Sequence, residues 1–369
     1  MLYPQFIDLK CISHASCNVG LKLFDSCTIA VKFIGIFNNM MNTSSRARSV
    51  FRELIHSEVK RYTSDIRWFY RQEVSSQVLK YWEEVVTLIN HEETFAAAVR
   101  NKLKTLVQGN EADILLELSL LEDAGIPLAK LCYYQEGDGF LIPTTFDHWN
   151  EVKNLLQDFV EGRKLLPRVT TTSLELFPND IDLREEKYYE TSSKILSCLQ
   201  KMNDSTNLSD KHLSTLTTFR ACRILDYRFI AKTPYESIVH TLPNNQVQGE
   251  IVQLLHLPFI LNDIHLQPFV DEMQSYHEIS RATVQSQTGE EDDDPAKNIL
   301  CFWKRNVLTL PNFAELARKI ACLSPSSATV ERLFSLLSSF NDNQGSALAD
   351  YAKARCMIRY NHIFRERYS

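Results

Sequence analysis

Apolar residues recur at intervals of three and four along most of the chain, from about residue 44 to residue 257. That spacing is typical of helices with one buried face. Clear examples are Val78, Trp82, Val85 and Val86; Ile114, Leu115, Leu118 and Leu121; Leu155, Phe159 and Val160; and Leu213, Leu216, Phe219 and Leu225. Breakers such as Gly125-Ile126-Pro127 separate these sets. We therefore predict a large all-helical domain over residues 59–285.

The two ends of the chain have other patterns. Residues 6–9 alternate as a strand does, and helical spacing follows, so we predict a strand-then-helix segment over residues 1–58. Residues 286–296 carry an acidic run without large apolar side chains, which predicts a flexible linker. Helical spacing resumes over residues 297–369. The predicted fold class is mostly α, with a smaller β part that makes it α+β.

Composition and charge exclude several classes of protein. Hydrophobic residues make up 44% and charged residues 23%, as in ordinary globular proteins, and a net charge of −6 is unlike that of a protein that coats nucleic acid. Nine scattered cysteines, an odd number, argue against a disulfide framework. No apolar run reaches the roughly 18 residues of a membrane span, and we see no signal peptide, so we expect no membrane contact.

A local basic cluster is the best candidate for contact with DNA. It contains Arg46, Arg48, Arg52, Lys60, Arg61, Arg67 and Arg71, against Glu53, Glu58 and Asp65. A solvated helix face with mixed charges is the commoner interpretation of such a cluster. Both interpretations stay open at this point.

Residues 324–335, Ser-Pro-Ser-Ser-Ala-Thr-Val-Glu-Arg-Leu-Phe-Ser, are the most informative segment. Ser324 and Pro325 are typical of the cap and first turn of a helix. Four apolar residues at i, i+3, i+4 and i+7 then form one stripe: Val330, Leu333, Phe334 and Leu337. Glu331 lies at the edge of this stripe, where a carboxylate can be held firmly and still reach a cleft.

This segment resembles the signature near the C terminus of hAT-family transposases, in which a serine-rich turn leads into an Ala/Ser-x-x-Glu-Arg-x-Phe-Ser helix. Phe302-Trp303-Lys304 and residues 310–321 are similar to the tryptophan-containing helix and the proline-led helix of that family. The resemblance implies that Glu331 stands at the position of the third catalytic acid. It also implies a C-terminal dimerisation region, packed by the apolar stripe. We therefore expect a homodimer or higher self-association.

A second set of residues resembles the same family. Cys11-x-x-His14 and the pair Arg67-Trp68 are similar to its Cys-x-x-His pair and its Arg-Trp motif. Cys11 and His14 supply two of the four ligands of a structural zinc site, so we expect a buried structural pair that seats the following helix, and no metal. The resemblance implies that Trp68 stacks on a flipped base, with Arg67 and Arg71 near phosphates. The alternative, a core aromatic at the start of a helix, stays open.

The expected catalytic machinery is incomplete. Transposases of this family cut DNA with three carboxylates that hold two divalent metal ions, such as Mg²⁺, on an RNase H-like sheet. The resemblance places the first two acids upstream of Cys11, where this sequence has only Asp8, too close to match. We therefore expect a partial RNase H-like core, at residues 1–58 and 297–369, interrupted by the helical insertion domain. We expect no catalysis, no cofactor and no small-molecule substrate.

Three hypotheses about function follow. The favoured one is a degenerate or domesticated hAT transposase-like protein, acting through dimerisation with possible residual DNA binding. The family resemblance implies a location in the nucleus, and the cytoplasm is the alternative. The second is a truncated gene model of an active metal-dependent transposase, which upstream coding sequence with two suitably spaced aspartates and a zinc finger would favour. The third is a helical adaptor that binds another protein and never contacts DNA.

Overall fold

A computed structural model of the chain describes residues 11–62, 68–91, 95–137, 139–206, 215–235, 251–252, 254–255, 266–286 and 295–325. Within these residues every regular element is helical. The α-helices are α1 Ile12–Ser26, α2 Thr28–Thr43, α3 Ser45–Ile55, α4 Trp68–Lys80, α5 Trp82–Asn90, α6 Ala97–Leu120, α7 Ile126–Gln135, α8 Ile142–Val160, α9 Pro167–Leu176, α10 Ile181–Ser193, α11 Ile195–Thr206, α12 Thr215–Cys222, α13 Tyr227–Lys232, α14 Leu266–Ser286, α15 Pro295–Arg305 and α16 Pro311–Ile320. A π-helical turn, Leu121–Gly125, joins α6 to α7, and a 3₁₀ turn, Arg223–Leu225, precedes α13.

The prediction of a mostly helical protein is confirmed. The predicted RNase H-like core is not confirmed, because the described residues contain no strand and residues 6–9 lie outside them. The domain boundaries at residues 58, 285 and 296 stay predictions. In the described part, α1 packs on α4, α7 and α11, and α2 packs on α6, so the first helices lie among those of the central stretch.

Local sequence explains where the first helices begin and end. The Sγ of Cys11 accepts a hydrogen bond from the backbone N–H of His14 at the start of α1. Ser44 caps α3 through a hydrogen bond from the N–H of Ala47 (3.0 Å), as serine does at this position. His56 ends α3 in the left-handed conformation, with φ 48°.

One buried carboxylate completes the start of a helix that has no capping side chain of its own. Glu117 of α6 accepts hydrogen bonds from the N–H groups of Ile29 (2.9 Å) and Ala30 (2.7 Å) in the first turn of α2. Its other oxygen accepts from the ammonium group of Lys194. The negative charge lies at the positive end of the helix dipole and is also paired, which lowers the cost of its burial.

Carboxylates from distant elements also cap two helices that begin with a proline preceded by a leucine. Asp123 accepts hydrogen bonds from the N–H groups of Arg168 (2.9 Å) and Val169 (3.0 Å) at the start of α9. Glu272 accepts one from the N–H of Asn312 (2.9 Å) at the start of α16. In each case a carboxylate from a distant element supplies the acceptors that the local sequence lacks. These long-range caps fix how the helices pack together.

Two groups of buried aromatic rings mark the core. The first cluster lies among α1 to α4 and consists of Phe24, Phe33, Phe37, Phe51, Trp68 and Phe69. The second cluster lies among α13 to α16 and consists of Tyr227, Phe269, Tyr276, Phe302, Trp303 and Phe313. Large aromatic side chains contribute most of the buried apolar area of a core, so these clusters anchor the two parts of the fold.

Candidate functional site

The structure brings the N-terminal motif to the beginning of the C-terminal signature. The backbone N–H of Ile12 donates a hydrogen bond to the carbonyl of Pro325 (3.0 Å). Cys11 is half-buried, less than the predicted pair requires, and its Sγ caps α1. His14 is exposed, so the expectation of a buried pair is wrong for this residue, whose side chain faces outward from the first turn. The capping contact uses only its backbone.

Trp68 lies at the first position of α4 and is completely buried. Its indole ring lies directly on the backbone of Gly20, where an added β-carbon would come within 2.1 Å of the ring. The ring of Phe24 packs beside it, with 5.6 Å between ring centroids. Only glycine can occupy position 20 while the indole keeps this place. The ring therefore faces the core in this structure, and its predicted stacking on a base stays a prediction.

The indole N–H of Trp68 lies near the thiols of two cysteines. Its Nε1 has no oxygen or nitrogen acceptor among the described residues, and its polar neighbour is the thiol of Cys132. The Sγ atoms of Cys17 and Cys132 are 3.9 Å apart. The hydrogen bond between these thiols and the burial of Cys132 both raise the pKa of Cys132, so this thiol is protonated at neutral pH.

The basic cluster of the sequence divides into exposed and half-buried members. The exposed members among the described residues are Arg46, Arg52, Lys60 and Arg61. Arg48 is half-buried and donates a hydrogen bond to the carbonyl of Asn42 (3.1 Å) at the end of α2. The guanidinium of Arg71 lies over the ring of Tyr62, 5.7 Å from its centroid. Arg67 lies outside the described residues. The exposed cations of α3 and the following loop are therefore the part of the cluster that solvent reaches.

The second aromatic cluster fixes the C-terminal section to the 3₁₀ turn. Trp303 donates a hydrogen bond from Nε1 to the carbonyl of Leu225 (2.9 Å). Tyr276 donates from its hydroxyl to the carbonyl of Ile224 (2.7 Å), and burial raises the pKa of Tyr276 well above its usual value, so it keeps this proton. Two buried donors thus satisfy two adjacent carbonyls, which orients α14 and α15 against the body.

An apolar groove opens beside this anchor, between α15 and α16. We call it the α15–α16 groove; its volume is about 380 Å³. Its lining is mainly apolar and includes Phe140, Leu300, Trp303, Val307, Ala314 and Ala317. The turn that joins the two helices borders it, and in that turn Val307 is 51% and Leu308 92% exposed. An exposed leucine beside an open apolar groove is typical of a binding surface.

The cations at the groove differ in how they are balanced. Lys304 and Arg318 both border the groove. The guanidinium of Arg318 donates two hydrogen bonds to Glu315, each 2.8 Å long, and these bonds lower the pKa of Glu315. Lys319 also lies 3.8 Å from that carboxylate. Much of the positive charge beside the groove is therefore compensated locally.

Several predicted residues lie outside the described part of the chain. They are Glu331 and the stripe of Val330, Leu333, Phe334 and Leu337. Among the residues that are described, no group of three or more His, Cys, Asp or Glu side chains is arranged to hold a metal ion. None of the helices in those ranges is both long and apolar enough to cross a membrane.

Sequence reasoning missed the groove and the long-range caps. The signal for the groove is the pair Val307-Leu308 in the short connection between α15 and α16, where polar turn residues are usual. The signal for the caps is a leucine, in place of Ser, Thr, Asp or Asn, before each proline-led helix. Neither signal names the partner, because the partners lie far away in sequence.

Comparison with known protein families supports the resemblance seen in the sequence. Residues 282–360 match the model of the hAT family C-terminal dimerisation region. The match begins within α14 and includes all of α15 and α16 and all of the residues that line the groove except Phe140. Searches of curated proteins and of solved structures gave no match. Residues 282–360 are therefore similar to the C-terminal dimerisation region of the hAT family, and the signature at residues 324–335 resembles that of hAT transposases.

Proposed function

We propose that this protein acts by self-association through its C-terminal section, as a degenerate or domesticated hAT transposase-like protein of the nucleus that lacks strand-transfer activity. The observation that carries the proposal is the match of residues 282–360 to a dimerisation region, because these residues supply most of the lining of an open apolar groove. Apolar surface of this kind is what homodimer interfaces bury.

The way in which the groove is held supports this proposal. Trp303 forms one wall of the groove and also bonds to the carbonyl of Leu225 in the body of the protein. Glu272 caps α16, which forms the other side. Both helices are therefore fixed before any partner arrives. A preformed surface loses less conformational entropy on association than a mobile one.

The proposed lack of catalysis rests on the sequence. A two-metal clamp needs several carboxylates around the scissile phosphate. Within residues 1–369 the sequence matches one of the family's three acids, Glu331, so the proposal assigns these residues no complete two-metal clamp of their own.

Residual DNA contact is the finer part of the proposal, and the support for it is the exposed basic surface of α3 and the loop after it. Arg46, Arg52, Lys60 and Arg61 lie on that surface. Such cations contact phosphates without reading sequence. Trp68 gives no such support, because base stacking needs an open ring face and this side chain is completely buried.

Light scattering on the full chain tests the main proposal. We expect a mass of twice 42.6 kDa at micromolar concentration, falling toward the monomer value on dilution. A monomer at every accessible concentration would contradict self-association. Adding a hairpin oligonucleotide to the same sample tests the finer part, which predicts a complex that dissociates as salt rises because its contacts are to phosphates.

A further inference from the structure

We propose that two copies of the chain pair across the α15–α16 groove, each inserting Leu308 into the groove of the other copy. This inference rests on the proposed self-association and adds the surface and the contact that carry it. For comparison, Leu165, which is 64% exposed, borders a smaller groove of about 290 Å³ between α9 and α10.

Leu308 has the properties of an inserting side chain. It is 92% exposed, the largest exposed fraction among the large hydrophobic residues that the structure describes, and its neighbour Val307 is 51% exposed. A single exposed apolar residue is ordinary on a protein surface. Two consecutive ones at the tip of a turn, next to an open apolar groove, form a patch whose burial on association is favourable.

The groove has the properties of a binding site for a leucine side chain. Its lining is mainly carbon, with Trp303 and Phe140 as large rings and Ala314 and Ala317 leaving space on the α16 side. A volume of about 380 Å³ lies within the usual range of binding pockets, and it accommodates an aliphatic side chain.

Leu308 and the groove lie on one face of the molecule, because Val307 lines the groove and is the residue next to Leu308 in the chain. A two-fold axis beside the turn therefore brings each leucine to the other copy's groove. This exchange closes on itself, as isologous dimers do, and leaves no groove open for a third copy.

Two observations favour a second copy of this chain as the occupant. The turn and all of the residues that line the groove except Phe140 fall inside the matched dimerisation region. Arg318 also borders the groove, and its charge is balanced by Glu315 at 2.8 Å. The electrostatic repulsion between the grooves of two identical copies is therefore reduced.

The test compares matched leucine variants of the full chain by sedimentation equilibrium over a dilution series. Leu308→Asp places a charge at the centre of the proposed contact, and symmetry places it there twice. We expect the dimer dissociation constant to rise by at least about a hundredfold. Leu308→Met keeps an apolar side chain of similar volume and is expected to dimerise as the wild type does.

Leu174→Asp is the control for an added surface charge. Leu174 is 47% exposed on α9, outside the matched region, and we expect this variant to dimerise normally. Circular dichroism and thermal unfolding confirm that each variant is folded, which the exposure of both leucines predicts.

The outcomes separate this inference from the proposed function. A monomeric wild type overturns both. If the wild type and Leu308→Asp dimerise equally, self-association stands and the groove exchange is wrong. If Leu308→Asp and Leu174→Asp weaken the dimer to the same extent, the effect is one of net charge, and the groove exchange is again wrong.

Discussion

Trp68 and Trp303 are buried tryptophans in two regions of one helical protein, and they are held in opposite ways. Trp68 is enclosed by shape, with its ring against Gly20 and no oxygen or nitrogen acceptor for its N–H among the described residues. Trp303 is held by a directed hydrogen bond to Leu225, and its ring also borders an open groove. The first region is closed, and the second offers surface to a partner.

The difference shows how the two family motifs are used in this chain. The motif around Trp68 contributes to packing in this structure, since the ring lies against Gly20 and the whole side chain is buried. The motif around Trp303 contributes both an anchor and one wall of a groove. A resemblance in sequence identifies both tryptophans equally well, but burial and hydrogen bonding distinguish their present contributions.

The largest expected effect tests the closed region. Trp68→Ala removes the ring that fills the space over Gly20, and we expect the free energy of unfolding to fall by about 3–5 kcal/mol. Urea unfolding followed by circular dichroism measures it. A loss below about 1 kcal/mol would contradict the enclosed position of this ring, because surface substitutions have effects of that size.

Gly20→Ala provides the matched control for Trp68→Ala. Alone, it forces a β-carbon into the indole and should destabilise the protein by about 1–3 kcal/mol. In the Trp68→Ala background that clash is absent, so most of the cost should vanish. A double-mutant cycle therefore measures the contact itself, and strict additivity of the two changes would show that the residues do not touch.

An intermediate effect tests the anchored region. Trp303→Phe keeps an aromatic ring but leaves the carbonyl of Leu225 without its donor, and we expect a loss of about 1–3 kcal/mol. Tyr276→Phe, which removes only the hydroxyl that donates to the carbonyl of Ile224, is a parallel test. It should lower the free energy of unfolding by a similar amount. If neither change alters the unfolding free energy, the hydrogen bonds do not hold this section in place.

The smallest effect concerns a feature that the two regions share, the carboxylate caps. Asp123→Ala and Glu272→Ala should each cost about 0.5–2 kcal/mol at neutral pH, the usual value of an N-cap. Burial raises the pKa of Asp123, although the N–H groups of Val169 and Arg168 act in the other direction. The folded protein therefore binds this proton more tightly than the unfolded chain does.

That direction sets the pH dependence of the Asp123 cap. A raised carboxyl pKa gives a contribution to stability that is present below the unfolded pKa and is lost as pH rises through the folded pKa. The stability of the wild type relative to Asp123→Asn, which cannot titrate, should thus decrease from about pH 4 upward. Urea unfolding at several pH values measures the difference, and an increase with pH would mean that folding lowers the pKa of Asp123.

The helical architecture was predictable because apolar spacing is a local property. The spacing at Val78, Trp82 and Val85, for example, is enough by itself to indicate a helical face. The mostly helical fold class is confirmed, because every regular element among the described residues is helical. The strand expected at residues 6–9 lies outside the described residues, so the RNase H-like core stays a prediction.

The candidate site was less predictable because it depends on pairs that are distant in sequence. Nothing near Trp68 in sequence shows that Gly20 receives its ring, and nothing near Trp303 names Leu225 as its acceptor. The sequence therefore allows both a buried Trp68 and one that stacks on a base. Leu308 was missed because a leucine between two helices is ordinarily expected to point inward, and only the structure shows that it points out.

The hydrogen bond from Ile12 to Pro325 bears on whether the C-terminal section can fold apart from the rest of the chain. It joins α1 to the residues that begin the hAT signature, and the anchors at Leu225 and Ile224 join the same section to the middle of the chain. The C-terminal section therefore depends for its support on segments from both the beginning and the middle of the described chain. We therefore expect this section to keep its structure in another protein only when the helical body that supports it is transferred with it.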